Sequence, residues 1–174
     1  MKKQTLTRRR FLQNAATIAI VPAAVLGRVR AAPSNRLTVG LIGAGGRGTG
    51  VMNSFLGEQD AQVIGVCDPY ETHFRDKTAG RAYGWKPAAE MVGRRYQTKP
   101  CAHYTDYREL CARKDLDIVI VGTPDHWHAV QTLDALRNGK DVYCEKPVTH
   151  FFAEGQAVYR EVAKRKAIFQ TGSQ

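Results

Sequence analysis

Cysteine is scarce in this sequence, and its four residues lie far apart. Cys67, Cys101, Cys111 and Cys144 include no C-x-x-C pair, the spacing typical of zinc sites and redox-active thiols. A disulfide framework and a zinc site are therefore disfavoured. The spacing favours buried thiols in a protein that folds in a reducing compartment.

Acidic residues are absent from the first 31 positions, which carry seven of the 26 basic side chains. The remaining chain has 19 basic and 16 acidic side chains, so most of the formal charge of +10 belongs to this leader. A nucleic-acid partner is therefore not expected. The 174 residues also lack internal repeats, and 43% hydrophobic with 24% charged residues indicates a globular domain.

The basic leader has the order of a bacterial export signal. The stretch Thr7-Arg8-Arg9-Arg10-Phe11-Leu12 fits the twin-arginine (Tat) pattern, and a moderately apolar run and small residues follow it. This order predicts a signal peptide over residues 1–31, a linker over 32–36 and a periplasmic or secreted protein, with the Tat translocon as a partner during export. An uncleaved membrane anchor is the alternative, disfavoured because the apolar run is slightly short for a span.

A glycine-rich turn follows the first apolar strand, predicted over residues 37–42. Gly43, Gly45 and Gly48 keep the G-x-G-x-x-G spacing. In dinucleotide sites these glycines permit a tight turn, the close approach of a pyrophosphate, and close packing of helix on strand. The next helix, predicted over 46–56, directs its N-terminal N–H groups at the phosphates.

Strands and helices alternate along the rest of the chain. Further strands are predicted over residues 61–67, 101–104, 117–122, 140–144 and 167–171, and the fourth strand is almost purely β-branched, which favours burial on both faces. The pattern predicts an α/β fold over 37–174, a doubly wound parallel sheet of the Rossmann type. Ligands of such sheets bind at the carboxyl ends of the strands.

Two connecting segments and one helix face complete the predicted fold. Residues 70–82 are predicted to be helical, and 84–100 to be an irregular, mildly basic insertion with a solvated face. Asp106 is predicted to cap a helix through Ala112. The last helix is predicted over 150–166, and its inward residues are expected to be Phe151, Phe152, Val158, Tyr159 and Val162.

Asp68 ends the second strand, 25 residues after Gly43. An acid near this distance accepts hydrogen bonds from the adenosine ribose hydroxyls and repels a 2′-phosphate. The position therefore predicts NAD rather than NADP as the cofactor. The alternative is an ordinary aspartate in the turn before Pro69.

Several of these motifs together resemble the Gfo/Idh/MocA oxidoreductases, and the bacterial members exported by Tat in particular. The resemblance rests on the glycine turn, Cys67-Asp68, Thr123-Pro124-Asp125-His126-Trp127-His128, the stretch from Gly139 to Glu145-Lys146-Pro147, and Gln170-Thr171-Gly172. It implies tightly held NAD(P) and hydride transfer at a carbinol of a sugar or cyclitol. It also implies a homo-oligomeric full-length protein whose second domain, absent from this chain, supplies most of the substrate pocket.

The resemblance implies roles for individual residues. Lys146 would bind and polarise the substrate hydroxyl, and a lysine beside a nicotinamide that is cationic when oxidised can assist proton transfer. Glu145 would face the nicotinamide ribose. The residues predicted to contact the cofactor are Gly43, Ala44, Gly45, Gly46, Arg47, Gly48, Asp68, Thr123, Pro124, Asp125, His128, Glu145, Lys146 and Pro147.

Two histidines stand close together at the start of a predicted helix. His126 and His128 are two residues apart, so their side chains diverge on a helix, and no metal site is expected. A helix-start or pocket-lining role is favoured for both, and His128 is a second catalytic candidate beside Lys146.

Three functions remain open at this level. The first is an NAD(P)-dependent sugar or cyclitol oxidoreductase, of which this chain is the nucleotide-binding half and by itself inactive. The second is a glycoside hydrolase that oxidises and re-reduces a sugar carbon transiently. The third is a dinucleotide-binding module without catalysis.

Overall fold

A six-stranded parallel sheet is the centre of the fold. The computed structural model describes residues 36–74 and 80–173, and its sheet has the strand order β5-β2-β1-β6-β7-β8. The strands are β1 Leu37–Ile42, β2 Ala61–Cys67, β3 His73–Phe74, β4 Ala82–Tyr83, β5 Ala102–Tyr104, β6 Ile118–Val121, β7 Asp141–Glu145 and β8 Phe169–Gly172; β3 and β4 form a separate antiparallel pair.

The order of the strands reverses between β1 and β6. From β1 the chain adds β2 and β5 on one side, and it then crosses back to add β6, β7 and β8 on the other. All five pairings within this sheet are parallel. The carboxyl ends of β1 and β6 therefore diverge into connections on opposite sides of the sheet, which opens a crevice between them.

Helices cover both faces of the sheet. They are α1 Gly46–Gly57, α2 Trp85–Tyr96, α3 Tyr107–Cys111, α4 His128–Arg137 and α5 Phe152–Arg165, with a 3₁₀ turn over Asp125–Trp127. In β6, Ile118 and Ile120 face the layer with α1 and α2, whereas Val119 and Val121 face the layer with α3 and α4. Because both faces are covered, the strand has no polar side, and the predicted doubly wound fold is confirmed.

Two helix ends show regular capping geometry, and the cap predicted at Asp106 is one of them. The Oδ1 atom of Asp106 accepts a hydrogen bond from the Arg108 N–H at 2.9 Å, and α3 begins at the next residue after Asp106. Gly139 follows α4 with φ +76°, a conformation that glycine adopts without strain.

The segment between β2 and β5 differs from the prediction. Residues 70–82 were expected to be helical, but β3 and β4 pair antiparallel through His73 with Tyr83 and Phe74 with Ala82; the part of that prediction over 75–79 lies outside the described residues. Residues 84–100 were expected to be irregular, yet most of them form α2.

Helix α2 has a short apolar face that its basic surface obscures in the sequence. Ala88, Ala89 and Val92 are buried against the α1 side of the sheet, at the spacing of one helix face. Pro87 is tolerated because it stands in the first turn, where the missing N–H would have no partner within the helix.

The face of α5 also differs from the prediction. Val158 is 4% exposed and Val162 packs against the core, but Phe152 is 83% exposed and Tyr159 is 75% exposed. Phe151, just before the helix, is likewise exposed. Phe152 and Tyr159 are seven residues apart and share a stripe that points away from the sheet. None of the helices in the described part of the chain is long and apolar enough to cross a bilayer.

Candidate functional site

The glycine-rich turn joins β1 to α1 at the point where the strand order reverses. Gly43 has φ +88°, and a Cβ atom there would lie 2.7 Å from the Thr123 backbone nitrogen. A Cβ on Gly48 would lie 2.0 Å from the Gly43 carbonyl oxygen, whereas one on Gly45 would meet nothing within 4 Å. The three glycines thus serve the turn, the open approach and the helix packing, as their spacing predicts.

Helix α1 begins immediately behind this turn. Gly45 is its N-cap and provides no side-chain oxygen, and the first turn contains no acidic residue. The first turn of the helix carries the positive end of the helix dipole, and no side chain of its own caps it. Such a terminus favours an anionic group such as a phosphate.

Asp68 is bonded directly to the glycine turn. Its Oδ2 atom accepts the Ala44 N–H at 2.8 Å and its Oδ1 atom accepts the Tyr70 N–H at 3.0 Å. The residue is only 6% exposed and lines the cleft described below. A carboxylate accepts about four hydrogen bonds, so Asp68 retains capacity for two hydroxyl donors while it fixes the turn.

A cleft of about 690 Å³ opens at the carboxyl ends of β1, β2 and β6. Of the predicted site residues, it is lined by Gly43, Gly45, Asp68, Thr123 and Pro124. Its size and its position at the reversal of strand order are those of a ligand site in an open α/β sheet.

Sequence reasoning missed part of the cleft wall. Tyr70 lines it, as do Tyr107 and Arg108 at the start of α3. Tyr107 and Arg108 follow the carboxyl end of β5, so the same strand-end rule that identified Asp68 and Thr123 would have found them.

Glu145 lies across the sheet from the turn, at the end of β7. It is 3% exposed, its Oε2 atom is 3.8 Å from the Arg47 Nε, and its Oε1 accepts the Tyr143 hydroxyl at 3.4 Å. The structure thus joins Arg47 of the glycine turn to Glu145, two residues that the sequence places 98 positions apart. Lys146 and Pro147 are exposed beside it, outside the lining of the cleft, and the peptide between them is cis.

His128 is the first residue of α4, which confirms its predicted position at a helix start. The side chain is 2% exposed. Its Nδ1 atom lies 2.7 Å from the Pro147 carbonyl oxygen and its Nε2 atom 2.9 Å from the Thr123 carbonyl oxygen. Both ring nitrogens therefore lie against backbone carbonyl oxygens, and His128 is not part of the cleft lining; its catalytic or cofactor contact stays a prediction.

Asp125 and His126 lie in the 3₁₀ turn and are exposed. The Asp125 carboxylate is 3.0 Å from the His150 Nε2, and this hydrogen bond holds the pKa of Asp125 below its usual range. Neither Asp125 nor His126 lines the cleft. Among the residues that the structure describes, no group of three or more His, Cys, Asp or Glu could hold a metal ion.

A parallel sheet with a G-x-G-x-x-G turn and a cleft at the reversal of its strand order defines the class: this is a dinucleotide-binding Rossmann domain. The profile of the Gfo/Idh/MocA oxidoreductase family, described as an NAD-binding Rossmann fold, matches residues 37–173. The chain belongs to this family, and the cofactor class is NAD(P).

Similar curated proteins include bacterial glycosidases. A glycosyl hydrolase family 109 protein of Streptomyces niveus is 40% identical over 114 residues, which cover 63% of this chain and 21% of that protein. The alpha-N-acetylgalactosaminidase of Shewanella oneidensis is 32% identical over 143 residues, or 78% of this chain and 28% of that protein. The chain thus spans between 21% and 28% of the length of these relatives.

Solved structures confirm the fold. An NAD binding oxidoreductase from Klebsiella pneumoniae aligns with a TM-score of 0.59 at 22% identity and covers 79% of this chain and 34% of its own. A 3-ketoreductase from Actinomadura kijaniata in complex with NADP aligns with a TM-score of 0.61 at 22% identity, and the alignment covers 79% of this chain and 38% of that protein.

Proposed function

We propose that this chain is the nucleotide-binding domain of an enzyme that transfers a hydride between a nicotinamide and a carbinol carbon of a sugar or cyclitol. The observation that carries the proposal is the glycine turn: among the described residues, apart from its own neighbours along the chain, no heavy atom lies within 4 Å of a Cβ placed on Gly45, and Gly45 lines the cleft. A pyrophosphate can therefore approach the backbone there. The family supports oxidoreductase chemistry.

The residues of the cleft fit the cofactor. The backbone of residues 43–48 and the start of α1 would hold the pyrophosphate, Asp68 the adenosine ribose, and Thr123 with Pro124 the nicotinamide side of the cleft. Glu145, held beside Arg47, would face the nicotinamide ribose. When bound, the cofactor accepts or returns the hydride.

In this proposal, Lys146 binds the substrate hydroxyl and takes up its proton. Oxidation of a carbinol removes a hydride from carbon and a proton from oxygen, so a group must bind the hydroxyl and take up that proton. Lys146 follows Glu145 at the end of β7 and is exposed at the surface. Its side-chain nitrogen would meet the substrate where the substrate-binding part of the whole protein closes over this edge.

The assay for this role compares Lys146→Met with Lys140→Met in the full-length protein. Lys146→Met should retain NADH binding and lose turnover by at least roughly 10²-fold, the usual contribution of acid–base catalysis. Lys140 is buried at the opposite end of β7, against the Leu116 carbonyl. Lys140→Met is therefore the control, because it should lower the free energy of unfolding rather than act on the reaction. Loss of NADH binding in Lys146→Met would contradict the assignment.

We also propose that NAD is preferred over NADP, because a buried carboxylate at Asp68 would face a 2′-phosphate. Asp68→Asn removes the charge and keeps one acceptor, so the ratio of NADPH to NADH affinity should rise by at least about tenfold. Asp60→Asn, an exposed change just before β2, is the matched control. Fluorescence titration of both cofactors measures the ratio of affinities, and an unchanged ratio would contradict the proposed contact of Asp68 with the adenosine ribose.

Hydrolysis through transient oxidation is the second candidate, favoured by the glycosidase relatives. The two reactions differ in net redox change. Steady formation of NADH from free sugars or cyclitols supports the oxidoreductase, whereas release of p-nitrophenol from nitrophenyl glycosides without net NADH supports the hydrolase. Cofactor binding with neither activity in the full-length protein would favour a non-catalytic module.

We propose further that the protein is exported through the Tat route, on the basis of the twin arginines Arg8 and Arg9. Substituting both with lysine should retain the protein in the cytoplasm, as measured by cell fractionation. Export of the double variant at the wild-type level would contradict this proposal.

A further inference from the structure

The antiparallel pair β3–β4 is anchored to the glycine turn through its backbone. The N–H of Gly84, the residue after β4, donates to the Ala44 carbonyl oxygen at 3.0 Å. The Trp85 N–H donates to the Tyr70 carbonyl oxygen at 3.1 Å. Gly84 has φ +111°, and a Cβ there would lie 2.7 Å from that same Tyr70 oxygen. The end of β4 therefore has a fixed place between the glycine turn and the segment that follows Asp68.

A row of side chains extends along this pair from the cleft. The ring centroids of Tyr70 and His73 are 5.7 Å apart, and those of His73 and Tyr83 are 5.9 Å apart. Tyr70 and His73 line the cleft. The guanidinium carbon of Arg81 lies 5.5 Å from the centroid of the Tyr83 ring, within the range of a cation–π contact. The row thus ends in a phenol with a positive charge over its ring.

The Tyr83 hydroxyl lies at the beginning of α1. A Cβ atom on Gly46, the first residue of the helix, would lie 3.3 Å from the hydroxyl oxygen. Because the Cα–Cβ bonds of a helix tilt toward its N-terminus, the hydroxyl lies toward the end of α1 that favours a phosphate. Gly45, the preceding residue, lines the cleft. The hydroxyl and the open backbone of the turn are therefore at the same end of the helix.

The contact with Tyr83 also gives a reason for the glycine at position 46. The motif G-x-G-x-x-G is satisfied by Gly43, Gly45 and Gly48 and leaves position 46 free. A Cβ at 3.3 Å from the Tyr83 hydroxyl would be closer than an ordinary van der Waals contact. Glycine at position 46 therefore leaves room for the phenol beside the phosphate-binding turn.

We propose that Tyr83 is a further cofactor-binding residue, whose hydroxyl donates a hydrogen bond to a pyrophosphate oxygen of the NAD(P) bound at the glycine turn. A phenol carries an O–H donor and a pyrophosphate carries charged acceptors, so the two groups are complementary. The positive charge of Arg81 favours the same anionic group. This inference rests on the cofactor site of the proposed function and is independent of the reaction at the carbinol.

Titration of the full-length protein with NADH tests the contact. In Tyr83→Phe the Kd for NADH should rise at least about tenfold, the usual contribution of a hydrogen bond to a charged group. Tyr159→Phe removes a hydroxyl from the exposed stripe of α5 and is the matched control, with an unchanged Kd. A Kd for Tyr83→Phe within about twofold of the wild-type value would overturn the proposal.

Phosphorus NMR of the bound NADH shows which part of the cofactor the hydroxyl contacts. Loss of a hydrogen bond at the pyrophosphate should shift its phosphorus signals in Tyr83→Phe, whereas Tyr159→Phe should leave them at their wild-type positions. If Tyr83→Phe binds NADH weakly and the phosphorus signals of the bound cofactor are unchanged, the hydroxyl acts elsewhere and the proposal is wrong.

Gly46→Ala is a second variant, in which Tyr83 remains. Its methyl group would lie 3.3 Å from the hydroxyl and displace the phenol, so the Kd for NADH should rise at least about threefold. Added to Tyr83→Phe, the same change should cause no further loss, because the displaced hydroxyl is already absent. An unchanged Kd in Gly46→Ala would contradict the contact even where Tyr83→Phe does not fold, and so would losses that multiply in the double variant.

These measurements separate the inference from the proposed function. If the wild-type protein binds NADH but turns over no carbinol, the proposed function fails, and the titration of Tyr83→Phe still decides the pyrophosphate contact. If a carbinol is oxidised and Tyr83→Phe binds NADH as tightly as the wild type, the proposed function stands and this inference fails.

Discussion

At the residue scale, the three glycines of the G-x-G-x-x-G turn have three different surroundings. Position 48 requires glycine because a Cβ there would lie 2.0 Å from the Gly43 carbonyl oxygen. Position 43 requires glycine because its φ is positive and because a Cβ there would collide with Thr123. Gly45 has φ −77° and open space, so nothing within the described protein requires glycine there. The backbone at Gly45 is therefore open to the approach of a pyrophosphate, as the motif predicts.

This difference gives a paired prediction for Gly48→Ala and Gly45→Ala. Gly48→Ala should lower the free energy of unfolding by about 3 kcal/mol, because the methyl group meets backbone that cannot move aside. Gly45→Ala should change it by less than about 0.5 kcal/mol, yet weaken NADH binding at least about tenfold by blocking the pyrophosphate.

Urea unfolding and NADH titration of both variants give the measurement. Equal loss of stability in the two variants would show that Gly45 is structural. Unchanged NADH affinity in a stable Gly45→Ala protein would show that the ligand does not approach this point.

At the element scale, α5 presents its aromatic residues to solvent and its small aliphatic residues to the sheet. Val158 on the inner face is 4% exposed, whereas Phe152 and Tyr159 on the outer stripe are 83% and 75% exposed. Aromatic residues bury more area than valine when they are inside, so a ranking by hydrophobicity alone selects the wrong face of this helix.

Two truncations on α5 test which face is buried. Val158→Ala removes two buried methyl groups and should lower the free energy of unfolding by about 2 kcal/mol. Phe152→Ala removes a larger but exposed side chain and should cost less than about 0.5 kcal/mol. Thermal unfolding of both variants measures the difference, and a greater cost for Phe152→Ala would reverse the orientation of the helix.

The elements that the sequence predicted best are those whose environment is uniform along their length. β1 and β2 have the predicted bounds because both faces of these strands are buried and their residues are nearly all apolar. Helix α2 was missed because its core contact consists mainly of alanines, Ala88 and Ala89, beneath a basic surface. Such a weak apolar signal becomes a helix only when the sheet is present to bury it.

At the scale of the whole molecule, all four cysteines are free, and three of them lie in the interior. Cys67, Cys111 and Cys144 are buried, as predicted, and Cys101 is half-buried. Burial is the main cause of raised pKa values for these thiols, to about 12 for Cys67 and Cys111 and to about 11 for Cys101 and Cys144. The thiols therefore stay protonated across the physiological range.

Alkylation at pH 8 should follow this arrangement. Because a raised pKa removes the reactive thiolate and burial excludes the reagent, the three buried thiols should react with iodoacetamide at least about a hundredfold more slowly than in guanidinium. Cys101 should be the first to react in the folded protein. Mass spectrometry of peptides from native and unfolded samples counts the modified sites, and rapid modification of Cys67 in the native state would contradict its burial.

Local sequence determined the parallel sheet, the glycine turn and the cofactor class, because each depends on residues that are neighbours along the chain: runs of β-branched side chains, glycines at fixed spacing, and an acid after a strand. Only the tertiary structure decided which distant residues meet. It brought Arg47 to Glu145, bonded Asp68 to Ala44, and placed the His128 ring between Thr123 and Pro147. The physical reason is that these contacts depend on the order of the strands and on burial, which periodicity along the chain does not encode.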